Sequence, residues 1–458
     1  MLPMPSAELI ERYGGPGPRY TSYPPATEWT DQVGTREAAE ALARAEKRPA
    51  PLSIYVHLPF CVEMCRFCGC NVIATRDRSR ADAYLDTLER EIQLWASRLP
   101  HRREVSQVHL GGGTPTFLSE AQLARLDSIL RKWFRILPGA EMALEADPDV
   151  TTVGQIKLLG MLGFNRISFG IQDLEPRVQE AIARIQSAEK TEEVIRTARA
   201  YGFRGVNVDL MYGLPYQTPE TMKRTLARVL AMNPDRTAIF GYAHVPWVKP
   251  QQRLLPQAAL PSPVQRVELF VTAARAFEEA GYRQIGLDHF ARGDDELVTA
   301  QQVGVLTRNF QGYSVRAAPD TLAFGVSSIS DVDGTFLQNS HRLSEWTAEV
   351  DAGRLPVERG LRRTQEDELR GTAIRMLMCL LRLDIAPLVD EFGPDAERLF
   401  ADAREPLKAL EKDGLISLRA NGLDVLPMGR IFLRSVAMVF DAYLERHANG
   451  QPAFSRAV

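Results

Sequence analysis

The chain is poor in cysteine and has no excess of charge of either sign. Its 458 residues hold five cysteines, four of them between Cys61 and Cys70, so a disulfide-stapled scaffold is excluded. Lys and Arg number 55 against 58 Asp and Glu, a net charge of −3. Nothing global therefore draws the chain to nucleic acid or to an anionic membrane. An anionic ligand has to be met by a local cluster of Arg and Lys. No apolar run reaches the roughly 18 residues of a spanning helix. The opening Met-Leu-Pro-Met-Pro-Ser, with no basic region before an apolar one, does not read as a signal peptide. A cytoplasmic protein is expected, and there clustered cysteines point to metal or redox chemistry.

What is present is ordinary globular composition, 45% hydrophobic and 25% charged, enough for one large core and a second domain. Short runs rich in Val, Ile, Leu and Phe end in Gly, Pro or polar residues and give way to helix-periodic segments. The strand candidates are 52–57, 105–110, 142–145, 166–172, 205–210, 237–242 and 283–288, read as buried on both faces. Between them Leu85, Leu88, Ile92 and Trp95 recur at helical spacing. Ser119 with Gln122 resembles a capping box, and Ser262-Pro263 opens another helix that Gly281 can close. Such alternation predicts a parallel sheet, doubly wound or curled into a full or partial barrel.

The flanks differ. Residues 1–50 form an arm and a lead-in helix. Within them Tyr13 to Pro25 is rich in Gly, Pro and Tyr and reads as an extended arm over a surface. The catalytic region is expected over 51–354. From about Leu355 to 458 the pattern turns helical, then shows helix, strand, Asn421-Gly422 turn and strand. A last helix is expected from Met428 to Tyr443. That is the outline of a small winged-helix domain.

The cysteines stand as Cys-x3-Cys-x2-Cys, then Cys-x-Cys: Cys61, Cys65, Cys68 and Cys70. A structural zinc site would pair two of them with two more well downstream, and Cys379 stands there alone. Three thiolates on one loop suit an iron–sulfur cluster. Four would fill a cubane; three leave one iron open. Gly111-Gly-Gly-Thr-Pro115 follows a strand, and three glycines exceed what one turn needs, so close approach to a ligand is expected. Glu145, Gln172 and Asp209 end their strands and Ala243 follows another. In parallel barrels the active site lies at those C-terminal ends, which predicts one shared site. His57, His109, His244 and His289 also lie near strand ends. They read as satisfied hydrogen-bonding groups in preference to a second metal site. Arg184, in Ile182-Ala-Arg-Ile185, reads on its own as an exposed helix residue.

Cys61, Cys65 and Cys68 match the signature of the radical S-adenosylmethionine enzymes. The surrounding Tyr55-Val-His-Leu-Pro-Phe60, Gly14 to Pro24, His109 to Thr116, Asp288-His-Phe-Ala291, Arg308-Asn-Phe-Gln-Gly-Tyr313 and Phe454-Ser-Arg456 narrow the likeness. Over essentially its whole length the chain resembles the oxygen-independent coproporphyrinogen III oxidases. The resemblance implies an α/β fold: a partial parallel (β/α) barrel of radical S-adenosylmethionine type, with the arm and a small, mostly helical C-terminal domain. It implies a [4Fe–4S] cluster on Cys61, Cys65 and Cys68, with Cys70 not a ligand. It implies two molecules of S-adenosyl-L-methionine. Tyr55, Gly112, Glu145, Ala243 and Ile329 would contact the first, and Phe67, Gly113, Thr114, Gln172, Arg184 and Asp209 the second. Arg19, Tyr20, Phe310 and Gln311 would meet the substrate, coproporphyrinogen III. The implied reaction uses a 5′-deoxyadenosyl radical to turn the ring A and B propionates into vinyl groups, giving protoporphyrinogen IX. Cofactor and cluster carry the hard step, so no side-chain acid or base is named. An electron donor such as flavodoxin or ferredoxin, an unidentified electron acceptor and a monomeric state complete the expectation.

Relatives with the same cofactors act on haem itself, transfer methyl groups or chaperone haem. The arm, Cys70 and the Asn309-Phe-Gln-Gly-Tyr313 stretch favour the oxidase over them. Pro246 to Arg253 is a departure expected to reshape a substrate loop. A haem-responsive DNA-binding regulator would use the winged helix, but Met428 to Tyr443 carries two arginines and much apolar surface. That favours a packed lid over a groove reader.

Overall fold

A computed structural model describes residues 2–315, 318–447, 454 and 456; Ser455 of the closing motif lies outside the described residues. β1 (Leu52–Leu58) runs into a small ribbon of β2 (Phe60–Cys61) and β3 (Ile73–Ala74). β4 (Glu104–Gly112), β5 (Arg135–Ala146), β6 (Arg166–Gln172), β7 (Gly205–Tyr212) and β8 (Arg236–Gly241) follow, with helices between successive strands. The capping box at Ser119 and Gln122 forms, and so does one at Ser262 and Gln265 behind Pro263. Such caps fix where each helix starts.

The remaining strands lie at the sheet's flanks. β9 (Tyr282–Ile285) and β10 (His289–Arg292) make one hairpin, and β11 (Thr307–Asn309) and β12 (Gly312–Ser314) another. β13 (Thr321–Phe324), β14 (Ile329–Val332), β15 (Thr335–Asn339) and β16 (Val357–Arg362) come next. The main sheet has the order β16-β15-β14-β13-β1-β4-β5-β6-β7-β8-β10-β9. It is parallel from β13 to β8 and antiparallel at both edges. The two edges do not pair, so the barrel is partial. A separate three-stranded sheet, β17 (Arg382–Asp384), β18 (Ile416–Arg419) and β19 (Gly422–Val425), with helices around it, builds the C-terminal part.

Four expectations change. The strand expected over 283–288 is half of a hairpin: Gly286 takes a φ of +54° and the chain turns back through His289. The segment expected to be helical from Leu355 first adds β16 to the sheet edge. The expected last helix is two short ones, Pro427–Ile431 and Leu433–Met438, broken at Phe432. Finally, the central strands are not buried on both faces throughout. On β7, Val206, Val208 and Leu210 are buried while Asn207 and Asp209 are only half-buried. The half-buried residues of β4, β5 and β6 include His109, Glu145 and Ser168. Period-2 alternation thus puts apolar residues against the helices and polar ones toward the barrel axis.

Candidate active site

The cysteine loop leaves β2 at the C-terminal end of β1 and is tied down by its backbone. The Arg66 amide donates to the Ile182 carbonyl at 2.9 Å. Three side chains from the Pro246–Arg253 stretch reach its carbonyls. Lys249 Nζ meets Cys70 O at 2.9 Å, Gln251 Nε2 meets Cys68 O at 2.7 Å, and Gln252 Nε2 meets Phe67 O at 3.1 Å. Gln252 also holds the carbonyl of Ala243, just past β8, at 3.1 Å. The departure expected to reshape a substrate loop is therefore seated against the cysteine loop.

All five cysteines are free thiols. The Thr114 hydroxyl stands 3.5 Å from Cys61 Sγ, Arg184 Nη1 3.8 Å from Cys65 Sγ, and the Cys70 amide donates to Cys68 Sγ at 3.4 Å. Each sulfur thus has a hydrogen-bonding group or a cation beside it. Burial pushes the Cys61 thiol up to about 11. Hydrogen bonding from the Cys70 side chain draws the Cys68 thiol down to about 6, and the Cys70 thiol rises in return. Among the described residues no three His, Cys, Asp or Glu lie close enough to hold a single metal ion. Three half-buried free thiols on one loop, with polar partners at their sulfurs, suit thiolate ligation of an iron–sulfur cluster.

Next to the thiols, the three glycines are required by the chain itself. A Cβ on Gly111 would stand 3.0 Å from the Tyr55 ring, on Gly112 2.7 Å from the His57 ring, and on Gly113 2.6 Å from the Phe60 carbonyl. Gly112 also has φ +115°. Within the chain, β1 and the residues after it already approach these glycines closely.

Behind them, Glu145 accepts from the Gly112 amide at 3.2 Å and faces His109 Nε2 at 3.5 Å. Burial works against its charge, but His109 and the amide outweigh it, so the carboxyl lies below its usual range. Tyr55 lies over His109 with ring centroids 5.9 Å apart, and its hydroxyl meets His57 Nδ1 at 3.2 Å. His57 Nε2 contacts Asn71 O at 3.0 Å, His244 meets Tyr242, and His289 meets Asp288. The histidines have the hydrogen-bonding roles expected of them.

Arg184 is not an exposed helix residue. The helix Pro176–Ile182 ends at Ala183 with φ +52°, and the next side chain turns inward. It pairs with Asp147 at 2.8 Å and reaches Gly170 O at 3.1 Å as well as Cys65. Asp147 carried no sequence signal beyond following a strand. Asp209 is not a strand end: β7 runs on to Tyr212. Burial, then Glu145 nearby, pushes its carboxyl up to about 7, against a hydrogen bond from Ser168 at 3.0 Å. Gln172 closes β6 with φ +64°, a strained conformation of the kind kept at functional sites.

The opposite flank of the barrel mouth is built by the arm. Arg19 pairs with Asp288 at 2.5 Å and lies 5.4 Å from the Phe240 ring centroid. Tyr20 and Tyr23 are buried, with their hydroxyls on Asp441 and on the Ala442 amide. Phe310, at the tip of the β11–β12 hairpin, sits edge-on to Trp29 and Phe336. Gln311 beside it lines a space inside the barrel with His109, Ser168 and Asn207. A cavity of about 490 Å³ is shared by Tyr20, Arg308, Phe310, Gln311 and Ile329. Ile329, expected beside Tyr55 and Glu145, lines this space with Tyr20, Phe310 and Gln311, three of the four residues expected to meet substrate; Arg19 lines a separate cavity.

The Radical SAM superfamily model matches residues 55–229, the span from β1 through the helix after β7. The HemN C-terminal domain model matches residues 364–432. The chain is 41% identical over 454 residues to the oxygen-independent coproporphyrinogen III oxidase of Pseudomonas aeruginosa, covering 99% of this chain and 98% of that one. It is 43% identical over 450 residues to the Escherichia coli protein of the same name, covering 98% of each. The chain belongs to the oxygen-independent coproporphyrinogen III oxidases. The solved structure of the Escherichia coli enzyme, described as a radical SAM enzyme, superposes with a TM-score of 0.90 at 41% identity. It covers 96% of this chain and 99% of that one. The partial barrel, the arm and the helical C-terminal part are those of this family.

Proposed function

We propose that this chain performs the family's reaction: oxidative decarboxylation of coproporphyrinogen III at the ring A and ring B propionates, giving protoporphyrinogen IX without oxygen. The observation that carries the reading is the shared barrel mouth. Three free thiols with polar partners stand at the end of β1, and the arm crosses the same end of the barrel at Arg19, paired with Asp288 beside Phe240 of β8.

Cys61, Cys65 and Cys68 would hold a [4Fe–4S] cluster. With S-adenosylmethionine bound, it would supply a carbon radical that takes a hydrogen atom from the propionate β-carbon. The chain's own part is to bind, orient and keep water out. Tyr55, Gly112, Glu145, Ala243 and Ile329 are assigned to one S-adenosylmethionine. Phe67, Gly113, Thr114, Gln172, Arg184 and Asp209 are assigned to a second. The Arg184 guanidinium, already paired with Asp147, suits a ligand carboxylate. Asp209, near neutrality in its proton affinity, suits ribose hydroxyls. Arg19, Tyr20, Phe310 and Gln311 are assigned to the tetrapyrrole. A one-electron protein such as flavodoxin or ferredoxin is the donor, a separate molecule the acceptor, and the working unit a monomer.

The test is an anaerobic assay of reconstituted protein with coproporphyrinogen III, S-adenosylmethionine, a reductant and cell extract as source of acceptor. Vinyl porphyrinogen and 5′-deoxyadenosine appearing together, both lost in Cys65→Ala, is the expected result. Deoxyadenosine with no vinyl product would move the activity to another tetrapyrrole.

A further inference from the structure

On the β7–β8 side of the mouth, beneath the arm, guanidinium groups gather round a cavity with about 30 Å³ of free space, lined by Arg19, Arg266, Arg434 and Arg456. One carboxylate, Asp288, shares the lining, and it is already engaged by Arg19 at 2.5 Å and His289 at 2.8 Å. Arg308 lines the neighbouring larger cavity and is bonded to the Arg19 carbonyl.

Arg266 shows that the arrangement is built. It rises from the helix Pro263–Glu279 and passes over the ends of β7 and β8. A Cβ on Gly213 would stand 2.3 Å from its Nη1, and one on Gly241 3.4 Å from its Nη2. Two glycines thus leave the groove its guanidinium occupies, 5.6 Å from the Tyr212 ring centroid. Its Nε, and that of Arg308, are buried without a hydrogen-bond partner among the described residues. A cation placed so costs folding free energy unless an anion meets it.

We propose that this cavity binds a carboxylate, and that the carboxylate is a substrate propionate that survives the reaction. The proposal rests on the function inferred above. Guanidinium forks match a carboxylate's two oxygens, and the space among them is small. A pocket that stabilises the anion binds the starting state, and that stabilisation is lost as the group leaves as carbon dioxide, so it would oppose decarboxylation. It therefore suits a propionate of ring C or D, retained in the product, and turns rings A and B toward the thiols. The other carboxylate at hand is that of S-adenosylmethionine.

The experiment measures the affinity of the anaerobically reconstituted full chain for three probes. These are coproporphyrin III, the fluorescent oxidised form of the substrate, its tetramethyl ester, and S-adenosylmethionine. In Arg266→Leu the tetra-acid is expected to bind about tenfold to a hundredfold more weakly, with ester and S-adenosylmethionine unchanged. Arg266→Lys should recover part of the loss. Arg266→Gln, close in length and without charge, carries the test if the leucine variant misfolds. Unchanged tetra-acid affinity would overturn the proposal. Loss of S-adenosylmethionine affinity instead would reassign the cavity to that carboxylate. A parent protein that binds neither porphyrin would sink the functional reading, and the proposal with it.

Discussion

The two flanks of the barrel mouth are built to opposite plans. On the thiol flank Cys61, Cys65 and Cys68 are half-buried, Cys70 is exposed, and Trp247 and Val248 beside the loop lie open to solvent. The loop is held there mainly through its carbonyls, which leaves its outer face free for a partner. On the other flank Tyr20, Tyr23 and Arg434 are buried, and the arm and the C-terminal segment close over them. An edge open to solvent can be approached from outside. A flank that orients a charged substrate away from water needs a roof. The arm and the C-terminal segment pack together there, so the arm is part of the folded structure rather than a tail.

The sharpest way to break the comparison is to disable one flank and read the other. Cys65→Ala is expected to abolish deoxyadenosine formation and lower bound iron, while coproporphyrin III binding persists; a parallel loss of porphyrin affinity would mean the flanks are not separable. Arg184→Leu comes next. It strands Asp147 half-buried beside the loop, and urea unfolding should show a loss of about 3 kcal/mol, together with weaker S-adenosylmethionine binding. Gly213→Ala puts a methyl where the Arg266 guanidinium lies and strains a residue at φ +87°. About 1–2 kcal/mol of stability should go, and porphyrin affinity should fall in the direction of Arg266→Leu.

Smaller effects should come from the side chains of Lys249, Gln251 and Gln252 that hold the cysteine loop, and from titration. Gln252→Ala removes two hydrogen bonds to loop carbonyls and should cost about 1–2 kcal/mol, seen as faster cluster loss in air at near-normal porphyrin affinity. Asp209 has its folded-state pKa raised to about 7, so ionising it opposes folding as pH climbs from the ordinary carboxylate range. Asp209→Asn should therefore gain on the parent in thermal midpoint between about pH 4 and pH 7 and level off above. A gap that narrows with rising pH would contradict that.

How much of this could be read from sequence followed the range of the interactions. Cys61 to Cys70 and the parallel strands were legible because thiol spacing and strand periodicity are local. So were the caps at Ser119 and Ser262. The hairpin at Gly286 was not, because Arg283 to Asp288 has strand composition and only pairing with β10 and β8 decides its direction. The break at Phe432 lies inside a run with helical pattern. There a Cβ on Gly429 would stand 1.9 Å from the Leu415 carbonyl, so packing overrides propensity. Asp209 was misplaced as a strand end, since β7 runs on through Leu210, Met211 and Tyr212. Gln252 was legible only as part of the Pro246–Arg253 departure, not as a contact to the cysteine loop, and Arg266 gave no signal: each meets a segment far off in sequence.

The most direct test asks whether the two flanks act on one molecule. Coproporphyrinogen III deuterated at the propionate β-carbons would be turned over anaerobically, and the recovered 5′-deoxyadenosine weighed by mass spectrometry. The account predicts deuterium in the deoxyadenosine, in step with vinyl product. Unlabelled deoxyadenosine beside vinyl product would contradict it, because the hydrogen would then have left by a route that does not cross the barrel mouth.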